Sequence, residues 1–156
     1  MIKFSVSRLE KEPVELECDE PAELLELDPA TAGYAAAAPV HCRLTAQLIS
    51  GGVLVSGQVS TKIAGACTLC LDPVEKLVET EPLELFFELE PGQEECDVTE
   101  EIRAEMLLAL PMNLHCSEEC RGLCPVCGVN RNREKCSCAP PDDRPGVWSA
   151  LDGLKL

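Results

Sequence analysis

The chain has 156 residues, of which 46% are apolar and only 3% aromatic, and it carries a formal net charge of −15. That length holds one domain with a modest aliphatic core, or one domain with a small appendage. The charge argues against non-specific binding to phosphate backbones and is easier to reconcile with a basic protein partner.

The first residues, Met1 to Lys11, lack the apolar stretch of an export signal, and no apolar run approaches the roughly 20 residues of a membrane span. A cytoplasmic chain with reduced thiols and no membrane attachment is therefore expected. Short β-like pieces occupy residues 2–9 and 14–18, separated by charge and proline. Ala35 to Ala38 reads as small-residue filler. From Val40 the pattern becomes strongly β: Leu44, Ala46 and Leu48 alternate with Arg43, Thr45 and Gln47. Gly51-Gly52 suits a two-residue hairpin turn, after which Val53, Val55, Val59 and Ile63 share one face of a return strand. A further β segment spans about residues 74–90, broken or placed on an edge by Pro82, which has no N–H to donate. Between Asp72 and Glu101 twelve carboxylates face one lysine, Lys76, which makes either a solvated face or a docking surface for a basic partner. Asp97 and Glu100 resemble a capping box opening a short helix over 99–110, with Ile102, Met106, Ala109 and Leu110 as its apolar stripe and Pro111 as its stop. A last short amphipathic piece bears Trp148, Leu151 and Leu154.

Eight of eleven cysteines fall into four close pairs: Cys67 and Cys70, Cys116 and Cys120, Cys124 and Cys127, Cys136 and Cys138. Two sulfurs on one tight turn meet a single ion with little further ordering of the chain, and a closed tetrahedral zinc site takes four. Cys124-Pro125-Val126-Cys127-Gly128 reads as a zinc knuckle, and eight residues later Cys136 and Cys138 can return on a short hairpin. These four make a zinc ribbon-like site. Cys67, Cys70, Cys116 and Cys120 make a second site, joining a strand end to the region after the helix. Two zinc ions are expected. Alternatives are a binuclear cluster of the six C-terminal cysteines, His115 replacing Cys116 as a ligand, an iron–sulfur cluster whose usual spacings these are not, and a redox-active Cys67–Cys70 pair. A disulfide framework fits poorly with an odd cysteine count. Cys18, Cys42 and Cys96 read as small buried hydrophobes or inert thiols.

Catalysis is not expected. There are two histidines, His41 and His115, no P-loop or dinucleotide fingerprint, and four-thiolate sites leave no position for a reacting water. No small-molecule substrate is expected either. The fold class read from these signals is α+β: mainly antiparallel β-sheet, one short helix and a C-terminal four-cysteine zinc ribbon-like module. Residues 1–115 form the β domain, 116–139 the cysteine-rich module and 140–156 a tail.

The run Leu110-Pro111, Cys116-x3-Cys120-Arg121-Gly122-Leu123-Cys124-Pro125-x-Cys127-Gly128-x-Asn130-x-Asn132, Cys136-x-Cys138 resembles the YceD family, the large ribosomal RNA subunit accumulation proteins. Cys67-x2-Cys70-Leu71 resembles its other signature. Asp143-Arg144 and Leu151-x2-Leu154 are similar to its terminal motif, although the order here is Asp-Arg-Pro. The resemblance implies a non-enzymatic bacterial factor supporting 23S rRNA accumulation or maturation, in which the upstream site staples the fold and Cys124 to Cys138 form an added module. Partners would be a ribosomal protein or an RNA-processing enzyme, with pre-50S rRNA as a further candidate. Arg121, Arg131, Arg133 and Lys135 cluster in the module. They either offset the negative charge of the metal sites or, with Asn130 and Asn132, contact RNA phosphate. A generic zinc-stabilised adaptor and a thiol-redox protein are the competing functions.

Overall fold

The computed structural model describes residues 1–138, so Trp148, Leu151, Leu154 and the Asp143-Arg144 motif lie outside the described residues. The molecule is mostly antiparallel β-sheet with one short helix. In chain order it runs β1 (Lys3–Ser5), α1 (Val6–Leu9), β2 (Val14–Glu20), a 3-10 turn (Ala22–Leu25), α2 (Pro29–Ala32), β3 (Tyr34–Ala36), β4 (Val40–Ile49), β5 (Gly52–Ala66), β6 (Pro73–Glu79), β7 (Leu83–Glu88), β8 (Glu95–Asp97) and α3 (Thr99–Ala109). Helices α1 and α2 are single turns.

The stretch 2–9 is not one strand. Continued alternation after Ile2 and Phe4 would turn charged Arg8 inward; the chain instead coils at Val6 and buries Leu9. The main hairpin forms as its alternation requires, with Leu44 opposite Gly57 and Ala46 opposite Val55. Its turn lies one residue earlier than expected. Ile49 pairs with Gly52, so Ser50 and Gly51 make the loop, with Gly51 at φ +90°. Gly52 opens β5, where a side chain would run into the Phe87 carbonyl.

Strand β5 is the axis of the six-stranded sheet. On one flank β4 and β3 lie end to end, with β2 outside β4; on the other flank β7 and β6 lie end to end. Pro82 sits in the break between β6 and β7, and Pro39 in the break between β3 and β4. Each break is closed by a buried threonine. Thr61 Oγ1 donates to the carbonyls of Ala38 (2.9 Å) and Pro39 (3.3 Å). Thr80 Oγ1 accepts the Val59 N–H at 3.0 Å.

The inner face carries Val53, Val55, Val59 and Ile63, which share one apolar cluster with Ile102 and Met106 of α3. Asp97 lies one residue ahead of the N-cap, Val98, which makes no side-chain cap bond; its carboxylate accepts the Thr99 N–H (3.0 Å) and hydroxyl (2.6 Å) in a turn leading into the helix. Glu100 pairs with Arg103 at 3.5 Å rather than closing the box. The β1–β8 ribbon, Phe4 opposite Cys96, lies apart from the main sheet. The outer face is polar and flanked by acids: Glu15 faces Thr45, which faces Ser56, which faces Glu84. Exposed Phe86 lies opposite Leu54 on that face. Among the described residues no helix is long and apolar enough to cross a membrane.

Candidate metal centres

Strand β5 ends at Ala66, and the chain folds at once into a tight turn. The Cys67 N–H donates to the Asp72 carbonyl (2.8 Å), and the Leu71 N–H donates to the Cys67 carbonyl (2.9 Å). Cys124 repeats this pattern: its N–H donates to Val129 O (2.8 Å) and its carbonyl accepts the Gly128 N–H (2.8 Å). The fifth residue of each turn is left-handed, Leu71 at φ +61° and Gly128 at φ +73°. Glycine takes that conformation freely, whereas leucine is strained there by about 1–2 kcal/mol.

Both turns aim N–H groups at their first sulfur. Burial opposes ionisation of Cys67, but the amides of Cys70, Leu69 and Cys116 outweigh it and hold the thiol down to about 6. The amides of Cys127 and Val126 hold Cys124 down to about 6 as well. A stabilised thiolate is the form that ligates metal. Other members of the sets move the opposite way: the Asp72 amide favours the Cys70 thiolate, but burial and the neighbouring thiols of Cys67, Cys116 and Cys120 push it up to about 12, and the Cys127 thiol together with burial pushes Cys138 up to about 12. Outside the sets, burial pushes the Cys42 thiol up to about 12. It lies opposite Cys18 across β2 and β4, and Cys96 is also buried.

The sulfurs gather into two sets, Cys67, Cys70, Cys116 and Cys120, and Cys124, Cys127, Cys136 and Cys138, each within 4.8 Å of one another. Cys67 Sγ lies 3.8 Å from Cys120 Sγ, and Cys70 Sγ lies 3.6 Å from Cys116 Sγ. A zinc ion bound at about 2.3 Å by four sulfurs needs edges of about 3.8 Å, whereas a disulfide needs about 2.0 Å. The first set therefore fits a tetrahedral ion. Soft all-thiolate sets suit zinc or iron–sulfur chemistry. Cys116, not the exposed His115, completes the first set, and Cys67 and Cys70 are drawn to Cys116 and Cys120 rather than standing apart from a six-cysteine cluster.

The two sets are tied together by bonds the cysteine spacing does not reveal. Leu123 N–H donates to Leu69 O (3.0 Å), and Arg131 N–H donates to Gly122 O (3.0 Å). Leu123 bridges to Asn130. Asp72, two residues past Cys70, accepts from Asn130 Nδ2 (3.0 Å) and Arg133 (2.8 Å). Asn132 Nδ2 donates to Cys120 Sγ at 3.3 Å. Asn130, Asn132 and Arg133 are thus engaged within the molecule. Arg121, Arg131 and Lys135 are exposed, with no side-chain ion pair among the described residues. The Asn130-x-Asn132 spacing was the available sequence signal for this brace; its partner Asp72 lies 58 residues away.

Residues 84–155 match the family model described as large ribosomal RNA subunit accumulation protein YceD. An uncharacterized protein of Mycobacterium bovis and one of Mycobacterium tuberculosis are each 36% identical over 100 residues, covering 55% of this chain and 48% of theirs. The large ribosomal RNA subunit accumulation protein YCED homolog 1, chloroplastic, of Arabidopsis thaliana is 32% identical over 65 residues, covering 42% of this chain and 20% of its own. The chain thus spans about half the length of the mycobacterial relatives it matches. No solved structure matches it.

Proposed function

The chain belongs, through residues 84–155, to the YceD family, and from that premise we propose that it is a non-enzymatic ribosome-biogenesis factor supporting 23S rRNA accumulation through binding. Two zinc ions, one held by Cys67, Cys70, Cys116 and Cys120 and the other by Cys124, Cys127, Cys136 and Cys138, fix its shape. The observation that carries this reading is the closing of eight sulfurs into two four-membered sets, six of them within the family-matching residues 84–155 and two, Cys67 and Cys70, upstream of them. Four thiolates fill a tetrahedral ion, so such a site staples the chain and offers no position for an activated water.

Binding then takes place on the surfaces the staples hold. The net charge of −15 and the acid-flanked outer sheet favour a basic ribosomal protein or RNA-processing enzyme. Within the cysteine-rich module, Arg121, Arg131 and Lys135 are exposed cations that can meet pre-50S rRNA phosphate. Work in the bacterial cytoplasm follows from this role. Deleting the gene is expected to lower mature 23S relative to 16S rRNA, and tagged protein captured at low salt should enrich pre-50S components. An unchanged ratio under rapid growth and stress, with no such enrichment, would reject the reading. A zinc-stabilised adaptor with no link to ribosomes is the second reading, favoured by Phe86 standing exposed between Glu84 and Glu88; it predicts capture of a partner from outside the ribosome.

A further inference from the structure

We propose that the loop between Cys127 and Cys136 makes the two cysteine sets one thermodynamic unit: Asn132, carried on the loop of the second set, positions the Cys120 sulfur of the first, so filling either site tightens metal binding at the other. The inference rests on the zinc reading above.

Asn132 is held in one orientation. Its Oδ1 accepts the Arg121 N–H at 2.8 Å, a bond only the oxygen can make, so the amide nitrogen must face Cys120 Sγ at 3.3 Å. Its backbone N–H donates to Asn130 Oδ1 (3.0 Å), and Asn130 Nδ2 donates to Asp72 Oδ2 (3.0 Å). The Asp72 carbonyl in turn accepts the Cys67 N–H (2.8 Å). These bonds form a closed circuit from one ligand of the first set, through the loop of the second, to another ligand of the first.

The loop forms no strand or helix; besides the bridge of Asn130 to Leu123 it is held by a turn in which the Arg133 and Glu134 N–H groups donate to Asn130 O (3.1 and 3.0 Å) and by the Arg131 N–H on Gly122 O (3.0 Å). Its ends, Cys127 and Cys136, are drawn together by the second ion. Four thiolates around a divalent cation leave the site negative, and a neutral N–H directed at one sulfur offsets that charge. Outer-shell donors of this kind change metal affinity by about 10–100-fold. Because binding free energies are reciprocal, the second site must feel the first by the same factor.

The test uses the full chain, purified under reductant, with equilibrium zinc competition against a chelator and 113Cd NMR to assign each ion. Cys136→Ser/Cys138→Ser is expected to abolish the second site and weaken zinc at the first by about 10–100-fold. Asn132→Ala, with all eight ligands intact, is expected to weaken the first site by about 10-fold and to move the cadmium resonance of that site more than the other. A merely structural role for Asn132 would not single out one cadmium signal. First-site affinity within twofold of wild type in both variants would overturn the linkage while leaving two zinc ions in place. A folded protein that binds neither zinc nor cadmium would overturn the linkage and the zinc reading together.

Discussion

Thr80 and Val59 exchange two hydrogen bonds across the break between β6 and β7: the Thr80 N–H donates to Val59 O at 2.8 Å, and the Val59 N–H donates to Thr80 Oγ1 at 3.0 Å. A hydroxyl stands where the neighbouring strand should offer a carbonyl. Pro82 interrupts that strand, and without the threonine a fully buried amide would have no partner. Thr80→Val keeps the side-chain shape and removes the acceptor, so it is expected to cost about 1–3 kcal/mol, read from urea unfolding. Thr80→Ser should retain most of the stability; equal losses in both would show that packing, not the hydroxyl, matters here.

The start of α3 responds to pH through Asp97. The Thr99 hydroxyl, followed by the Thr99 amide and nearby Lys3, holds its carboxyl below the usual carboxylate range. A depressed folded value means the stabilisation is complete above the unfolded value of about 3.9 and is lost as pH falls through the folded one. Asp97→Ala removes two charge-assisted hydrogen bonds to Thr99 and should cost about 1 kcal/mol at neutral pH, and Asp97→Asn should keep much of that turn while flattening its pH dependence. The check is the difference in urea midpoint between wild type and Asp97→Asn from pH 6 to pH 3. That difference should shrink as the pH drops; a constant gap would contradict the assignment.

The two knuckles share one hydrogen-bond pattern but differ at their left-handed residue. Gly128→Ala is therefore expected to destabilise by about 1 kcal/mol, while Leu71→Gly should relieve strain of similar size. Leu71 is 64% exposed, so little burial is lost with it. Chelator concentration at half-loss of zinc measures both. Weaker metal retention in Leu71→Gly would mean that the leucine holds the turn by contacts.

Metal stoichiometry separates the sites in a different way. Protein isolated under reductant should contain two zinc ions per chain by elemental analysis. Cys127→Ser should carry one and retain the far-UV signature of the sheet. Cys70→Ser removes the staple between the end of β5 and the segment after α3, and structural zinc is worth on the order of 10 kcal/mol, so a large loss of cooperative unfolding is expected. A native melting curve for metal-stripped protein would rule out the staple.

The exposed cations give a test of RNA contact. Charge reversal at Arg121, Arg131 and Lys135 should leave zinc content unchanged and reduce recovery of pre-50S RNA, with a shallower salt dependence. Arg133→Glu acts differently, because Arg133 is bonded to Asp72, and it should weaken the brace between the knuckles first. Identical behaviour of all four would remove the distinction.

Short-range signals carried most of the fold. Alternation from Leu44 through Ile63 specified the central hairpin because the period of two admits one buried face. Pro111 ended α3, which leaves the helix at Ala109. The close cysteine pairs could be read because sulfurs two to four residues apart share a turn whatever the rest of the chain does. The pairing of Phe4 with Cys96 was not legible, since nothing near either residue records a partner so far away. The coil at Val6 also escaped, because a short apolar run fits strand and helix equally.

By itself, then, the order of residues determined the central hairpin, the short helix and the grouping of the cysteines into two sets of four, since propensity, turn geometry and close spacing act over a few positions. Only the tertiary structure decided that Asp72, Asn130, Asn132 and Cys120 form one circuit and that Arg133 is spent on it. Hydrogen bonds between distant residues depend on where the sheet and helix deliver them, and that placement is a property of the packed whole.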